Sequence, residues 1–109
     1  MDMTDTEFEA LAATALAAVE RAIDAAGLDI DIQAKGAGVL ELEFQDGSKI
    51  IINRHAAARE LWVAARSGGF HFRHDGSAWR DTRDAAELFS ALSSLVSAQA
   101  GAPVTLTSS

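Results

Sequence analysis

The middle of the chain, residues 29–81, is a series of short stretches in which apolar and polar residues alternate. A period of two is typical of strands that bury only one of their faces. Turn sequences such as Asp46-Gly47 and Ser67-Gly68 favour hairpins between consecutive strands. We therefore predict an antiparallel meander of five to six strands, at 29–35, 39–44, 49–53, 61–65, 69–73 and around Trp79. Such a sheet needs another element to cover its apolar face.

Two helical segments flank the strands and can supply that cover. Residues 4–26 carry apolar side chains at helical spacing and are rich in alanine, the best helix former. Thr4 or Asp5 can cap the start of this helix, and Gly27 can end it.

The second helix is predicted to begin at Asp84, with Glu87 three residues later as its capping-box partner. It runs to Gly101, and Pro103 prevents it from continuing. The tail at 104–106 is expected to lie over the apolar edge of the helices. The order helix, meander, helix predicts an α+β fold, a two-layer α/β sandwich in which both helices pack on one face of the sheet.

Length and composition restrict the classes of protein that this chain can represent. A chain of 109 residues has room for one core, so we predict a single domain over 1–109. The absence of cysteine excludes disulfides, zinc–thiolate sites, thiol nucleophiles and clusters held by the chain's own thiolates. No basic leader is visible, and no apolar run approaches the ~18 residues of a membrane span. We expect a cytoplasmic protein without a membrane segment.

The net charge of −7 is concentrated in the first half of the chain. Residues 1–46 hold eleven acidic and two basic residues, whereas residues 47–109 hold five acidic and seven basic residues. A strongly negative half repels nucleic acid and attracts cations or basic protein surfaces. The alternative is that the acidity only keeps the protein soluble.

Several carboxylates of the first helix share one side, beside its apolar stripe. At about 100° per residue they fall within an arc of about 100°, and they are Asp2, Asp5, Glu9, Glu20 and Asp24. Asp29 and Asp31 continue this negative surface after the helix ends. Hard cations, including Fe²⁺ and Fe³⁺, prefer such oxygen ligands. An open surface offers few ligands for each ion, so we expect weak binding; a solvated acidic face is the alternative.

Trp62 is the aromatic side chain of most interest. If Leu61 and Val63 face the core, Trp62 faces outward on the open side of the sheet, near Asn53. An exposed aromatic side chain of this kind can serve as a docking anchor. A register shift of one residue would instead place Trp62 in the core.

The three histidines, His55, His71 and His74, have the chemistry of metal ligands or general bases. They show no paired ligand spacing, and no serine lies in a nucleophile-elbow sequence. We therefore expect surface histidines and no catalytic site.

Four stretches give the chain a family resemblance. They are 47–54 (GSKIIINR), 61–64 (LWVA), 67–72 (SGGFHF) and 79–81 (WRD). In this order and spacing they resemble the bacterial frataxin family of the CyaY type. The acidic first helix and the closing helix fit the same resemblance, which covers about residues 6–106.

The resemblance implies a frataxin-like sandwich and a role in iron–sulfur cluster assembly. It places weak binding of iron on an acidic ridge, which here comprises Glu9, Glu20, Asp24, Asp29 and Asp31, with Glu9 as a weaker member. The resemblance also implies docking onto the cysteine desulfurase, with the iron–sulfur scaffold protein as a further partner. The residues to which it assigns docking are Glu20, Asp24, Asp29 and Asp31 of the ridge, together with Asn53 and Trp62. The protein would donate iron or regulate the desulfurase, as a monomer or as an iron-induced oligomer.

Two alternatives to iron delivery remain at this point. One is a regulatory interaction module whose cation binding is incidental, and the other is a ferroxidase. The sequence also departs from the usual pattern of the family. Ala57 replaces a common proline, Glu60 replaces a common glutamine, and Ala25 and Ala26 stand where bacterial relatives often carry acids.

Overall fold

The computed structural model describes residues 3–108 as two helices and one sheet of six strands. In chain order the elements are α1 (Asp5–Ala26), β1 (Asp31–Ala34), β2 (Val39–Glu43), β3 (Lys49–His55), β4 (Glu60–Ala65), β5 (Gly68–His74), β6 (Trp79–Asp81) and α2 (Leu88–Ala100). Consecutive strands pair antiparallel in the order β1-β2-β3-β4-β5-β6. The predicted α+β sandwich is confirmed. Neither helix is long and apolar enough to cross a membrane within the described range.

The first helix begins as predicted, and Thr4 is its cap. The Thr4 Oγ1 accepts a hydrogen bond from the backbone N–H of Glu7, and a Glu7 carboxylate oxygen accepts one from the N–H of Thr4. This capping box satisfies two N–H groups that the helix cannot bond internally. Gly27 ends the helix in the left-handed conformation at φ 68°, where a side chain would be strained.

The predicted start of the second helix at Asp84 is wrong. The helix begins at Leu88, because Glu87 is still extended and its backbone forms a β-bridge with Arg80. The Glu87 carboxylate then caps the helix by accepting a hydrogen bond from the N–H of Phe89 at 2.8 Å. The cap is therefore Glu87 and not Asp84, because pairing with β6 moves the helix start by one turn.

Several strand boundaries also differ from the prediction, most of them by one or two residues. β1 covers only Asp31–Ala34 of the predicted 29–35. The β3–β4 hairpin is longer than predicted, because His55 pairs with Glu60 and leaves only residues 56–59 as the connector. The longer hairpin brings His55 onto the sheet.

Both helices cover the same face of the sheet, and the core lies between the two layers. Side chains of the central strands that point toward the helices are almost fully buried, including Ile50, Ile52, Leu61, Val63 and Phe72. The alternate residues point to the uncovered face, hereafter the open face. Leu61 and Val63 are therefore inward and Trp62 is outward, as predicted.

The C-terminal tail is fastened to α2 by two serines one helical turn apart. The Ser93 Oγ accepts from the N–H of Leu106 at 2.8 Å, and the Ser97 Oγ accepts from the N–H of Val104 at 2.9 Å. Leu106 is 4% exposed and belongs to the core. The tail thus packs against the helix layer, as the sequence indicated.

Replacing both serines with alanine (S93A with S97A) should release the tail and lower the free energy of unfolding by about 2 kcal/mol, because two half-buried N–H groups lose their acceptors. Urea denaturation measures this change. The control is S94A, since Ser94 is exposed and makes only a 3.4 Å contact within its own helix. Equal stability of the double variant and the control would contradict the role of the tail bonds.

Candidate functional site

The acidic ridge begins on the second half of α1. Glu20 and Asp24 are both exposed and lie one helical turn apart, so their carboxylates can approach one cation. Helix geometry places Glu9 about 16 Å farther along the axis. Glu9 is also engaged, because its Oε2 lies 2.6 Å from the Nη1 of Arg54.

Asp5 also differs from the ridge residues, because it pairs with Arg59 at 2.9 Å. Asp2, which the helical arc also included, lies outside the described residues. The structure therefore separates Asp5 and Glu9 from Glu20 and Asp24.

The ridge continues onto β1 with Asp29 and Asp31, which are both exposed. The Asp29 Oδ2 accepts a hydrogen bond from the side-chain amide of Gln45. Asp31 lies directly opposite Glu43 in the β1–β2 register, and both side chains are on the open face. Like charges in directly opposed positions destabilise a sheet, so this pair is a candidate for binding a cation or a basic group.

Sequence reasoning missed Glu43. The signal that identifies it is the turn at 36–38, which fixes the register of the β1–β2 hairpin and hence which residue faces Asp31.

Most other carboxylates of residues 3–108 have a local partner. Seven lie within 4.0 Å of a cationic side chain, namely Asp5, Glu9, Glu41, Asp46, Glu60, Asp75 and Asp81. Three accept backbone hydrogen bonds at turns or helix starts, namely Glu7, Asp84 and Glu87. Five carboxylates have no cationic group within 4.0 Å and are hereafter called unpaired: Glu20, Asp24, Asp29, Asp31 and Glu43. Glu43 lies opposite Lys49 in the β2–β3 register, but the Lys49 Nζ lies beside Glu41 instead.

These five carboxylates do not form a closed metal site. Within residues 3–108, no group of three or more histidine, aspartate or glutamate side chains is placed to hold one ion. A cation on this surface would therefore have one or two carboxylate ligands and keep much of its water. The geometry suits weak binding of a hard, hydrated cation.

The centre of the open face holds three parallel rings. The ring of Trp62 stacks on His55 with centroids 3.8 Å apart and on His71 with centroids 4.5 Å apart, both at 9° between planes. Asn53 is opposite Trp62 in the β3–β4 register. Trp62 is thus half-buried between two imidazoles and presents its edge to solvent, whereas the sequence had suggested a freely exposed ring.

Glu60 fixes the position of Trp62. Glu60 is 7% exposed. Its carboxylate accepts hydrogen bonds from the Trp62 Nε1 at 2.9 Å and from the Arg73 Nη2 at 2.7 Å, and the His71 Nδ1 lies 3.7 Å away. Burial opposes ionisation of this carboxyl, but the two hydrogen bonds and the charges of Arg73 and His71 outweigh it and lower its pKa. The sequence could have indicated this contact, because Glu60 precedes the outward Trp62 by two residues and therefore lies on the same face of the strand.

Two hydrogen bonds hold the connector after β3. The His55 Nδ1 accepts a hydrogen bond from the N–H of Ala58 at 3.2 Å, and the N–H of Arg59 bonds to the carbonyl of Ala56 at 3.1 Å. His55 therefore both closes this turn and covers one side of Trp62. His74 lies apart, at the β5–β6 turn, where its Nδ1 accepts from the N–H of Gly76.

Comparison with known proteins agrees with the fold. The sequence model of the frataxin-like domain matches residues 1–102. A relative from Dechloromonas aromatica, called iron-sulfur cluster assembly protein CyaY, is 58% identical over 104 residues, which are 95% of this chain and 99% of the relative. A protein of the same name from Cupriavidus metallidurans is 56% identical over 108 residues, covering 95% of this chain and 96% of the relative.

Among solved structures, frataxin from Psychromonas ingrahamii superposes with a TM-score of 0.89 at 31% identity, over 96% of this chain and 99% of that one. Two helices on one face of a six-stranded antiparallel meander define a frataxin-like α/β sandwich. The chain belongs to the frataxin family.

The contacts of Glu60 predict a pH dependence of stability. Because folding lowers the pKa of this carboxyl from 4.5, its stabilising effect is present above about pH 4.5 and is lost as the pH falls through the lower folded-state value. Between about pH 5 and pH 3 the free energy of unfolding should fall more steeply in the wild type than in E60Q, which cannot ionise. Urea denaturation across this range measures both slopes. E20Q makes the same chemical change at an exposed position and is the control; parallel curves for wild type and E60Q would contradict the argument.

Proposed function

We propose that this protein is a non-enzymatic accessory protein of iron–sulfur cluster assembly in the cytoplasm. It binds iron weakly on its unpaired carboxylates and docks onto the cysteine desulfurase, to which it delivers iron or whose rate it regulates. The observation that carries this proposal is that Glu20, Asp24, Asp29, Asp31 and Glu43 have no cationic partner, while most other carboxylates of the described chain do. The names of the relatives, iron-sulfur cluster assembly protein CyaY, support the process.

Iron is cargo in this proposal. The pairs Glu20 with Asp24 and Asp31 with Glu43 each offer two carboxylates to one hydrated ion. So few protein ligands favour low affinity and rapid exchange. Low affinity suits a protein that must release the ion to a partner.

The partner surface combines charge with an anchored aromatic side chain. The unpaired carboxylates attract a basic surface, which mainly raises the rate of encounter. The edge of Trp62, held by Glu60 and flanked by Asn53, then offers a rigid contact on the open face. We propose that the cysteine desulfurase and the scaffold protein meet this combined surface, and that the protein is a monomer before docking.

A second function is favoured by a separate observation. No three carboxylates or histidines of the described range converge on one position, while Trp62 is held rigidly for docking. A regulator that binds the desulfurase without carrying iron fits these two facts. A ferroxidase is disfavoured because His55 and His71 are engaged in ring stacking and His74 in a turn.

Neutralising the β1 carboxylates (D29N with D31N) should weaken both Fe²⁺ binding and desulfurase binding by about tenfold, because two charges are lost from the contact surface. Anaerobic titration calorimetry measures both affinities. The matched control is D84N with E87Q, which removes two charges at the start of α2 while both amides can still accept the local hydrogen bonds. Unchanged affinities in the ridge variant would refute the proposed site. Loss of partner binding with iron binding retained would favour the regulator.

Replacing Trp62 with alanine should leave Fe²⁺ binding unchanged and weaken docking to the desulfurase by about tenfold, because the aromatic anchor is lost. Binding of the fluorescently labelled variant measures docking. A64S changes a neighbouring exposed residue of the same strand and is the control. Docking of wild-type strength by W62A would show that the partner does not use the open face.

The location of bound iron separates the two functions directly. In NMR spectra of the ¹⁵N-labelled protein under anaerobic conditions, paramagnetic Fe²⁺ should broaden signals from Glu20 through Asp31 and at Glu43, and diamagnetic Mg²⁺ added at equal concentration should not reverse this broadening. Broadening centred on His55, His71 or His74 would assign the metal elsewhere. Reversal of the broadening by Mg²⁺ would show a site that does not select iron and would favour the regulator.

A further inference from the structure

The outer edge of β1 has backbone groups that the sheet leaves unbonded. The backbone N–H of Lys35 bonds to the carbonyl of Val39, which makes this opposed pair a hydrogen-bonded one. Hydrogen-bonded and non-hydrogen-bonded pairs alternate along an antiparallel ladder. The register therefore directs the backbone groups of Asp31 and Gln33 toward β2, and those of Ile32 and Ala34 away from it.

The same conclusion follows from the other side of β2. The N–H of Phe44 bonds to Ser48, and the N–H of Arg54 bonds to Gly38. The even-numbered residues of β2 thus bond to β3, which leaves its odd-numbered residues to bond to β1. Within residues 3–108, β1 pairs with no strand other than β2. Ile32 and Ala34 hence offer two N–H and two C=O groups along an open edge.

The side chains at this edge do not block it. Natural sheets protect such edges with charged side chains, especially lysine, with proline, with a bulge, or with a covering helix or loop. β1 contains no proline and no lysine, since Lys35 follows its last residue. Asp31, Gln33 and Ala34 are exposed. The edge is therefore open to an added strand.

The charge around the edge determines which kind of segment can bind there. Asp29 lies just before β1, Asp31 is its first residue, and Asp24 lies near the end of α1, which precedes it in the chain. None of these three carboxylates has a cationic partner in the described chain. An added strand places its alternating side chains beside those of β1. Arginine or lysine on such a strand would complement this negative charge, whereas an acidic strand would be repelled.

We propose that the open edge of β1 accepts an extended, basic segment of the partner protein as a seventh strand. Backbone hydrogen bonds to Ile32 and Ala34 hold the segment, and the carboxylates of Asp29 and Asp31 select its basic side chains. This mode is β-strand addition, in which the main chain gives affinity and alternate side chains give specificity. The inference rests on the proposed function only for the identity of the partner, the cysteine desulfurase.

The test is amide hydrogen exchange of the full chain, followed by NMR, with and without saturating desulfurase. The amides of Ile32 and Ala34 should exchange at least about tenfold more slowly in the complex, because each gains an acceptor. The amide of Gln33 already bonds to β2 and is the internal reference. A complex that forms while Ile32 and Ala34 exchange as in the free protein overturns the added strand and leaves the proposed function intact.

A matched pair of variants tests the same edge by affinity. A34P removes the outward N–H, and proline is tolerated at such a position of an edge strand. A34V keeps the N–H and the extended conformation. A34P should bind the desulfurase at least about tenfold more weakly than A34V, with both variants keeping wild-type far-UV circular dichroism. Equal affinities overturn the proposal.

An experiment with synthetic peptides tests the edge independently of the desulfurase. The probe is an acetylated and amidated eight-residue peptide that alternates arginine and valine, and the control peptide alternates glutamate and valine. Protection of Ile32 and Ala34 by the arginine peptide but not by the glutamate peptide supports the inference. Failure of the desulfurase to form a complex would refute the proposed function, but it would leave this support for the open edge in place. Protection by both peptides, or by neither, overturns the selection of a basic segment. If protection of Ile32 and Ala34 rises with protein concentration in the absence of desulfurase and peptide, the edge is occupied by a second copy of this chain and the proposed occupant is wrong.

Discussion

One-sided burial of the sheet is the constraint on which the rest of this structure depends. Both helices pack on the same face, where Ile50, Leu61 and Phe72 are almost fully buried. Since side chains alternate along each strand, every inward residue places its neighbours on the open face. The ring stack at Trp62 and the pair of Asp31 with Glu43 are therefore consequences of the same packing that forms the core.

The distribution of ion pairs distinguishes the structural charges from those available for binding. Carboxylates near the N-terminus of α1 and on the central strands lie beside arginine or lysine, as with Glu9 and Arg54. Glu20 and Asp24 on the second half of α1 have no such partner. On the β1–β2 hairpin and just before it, Glu41 is paired with lysine, but Asp29, Asp31 and Glu43 are not. Their mutual repulsion lowers stability slightly, and a cation or a basic surface would relieve it. The proposed binding surface and the unrelieved repulsion thus coincide at one edge of the sheet.

Much of the fold could be predicted from the pattern of side chains. The α1 helix, the order of the strands, the helix layer and the outward direction of Trp62 follow from local periodicity and turn residues, which are short-range properties. The start of α2 could not be predicted, because Glu87 is held extended by a bridge to Arg80 of β6. The length of the β3–β4 hairpin was missed for a similar reason, since the pairing of His55 with Glu60 depends on neighbouring strands.

The sequence by itself determined the class of fold, the negative charge of the first half and the identity of Glu20, Asp24, Asp29 and Asp31 as candidates, because these follow from residue types and their spacing. Tertiary structure decided which carboxylates are neutralised, since an ion pair such as that of Glu9 with Arg54 joins residues far apart in the chain. It also decided that Glu43 faces Asp31, that two histidines enclose Trp62, and that β1 keeps an open edge. Each of these depends on strand register and on which face the helices cover, and both are fixed only when the whole chain packs.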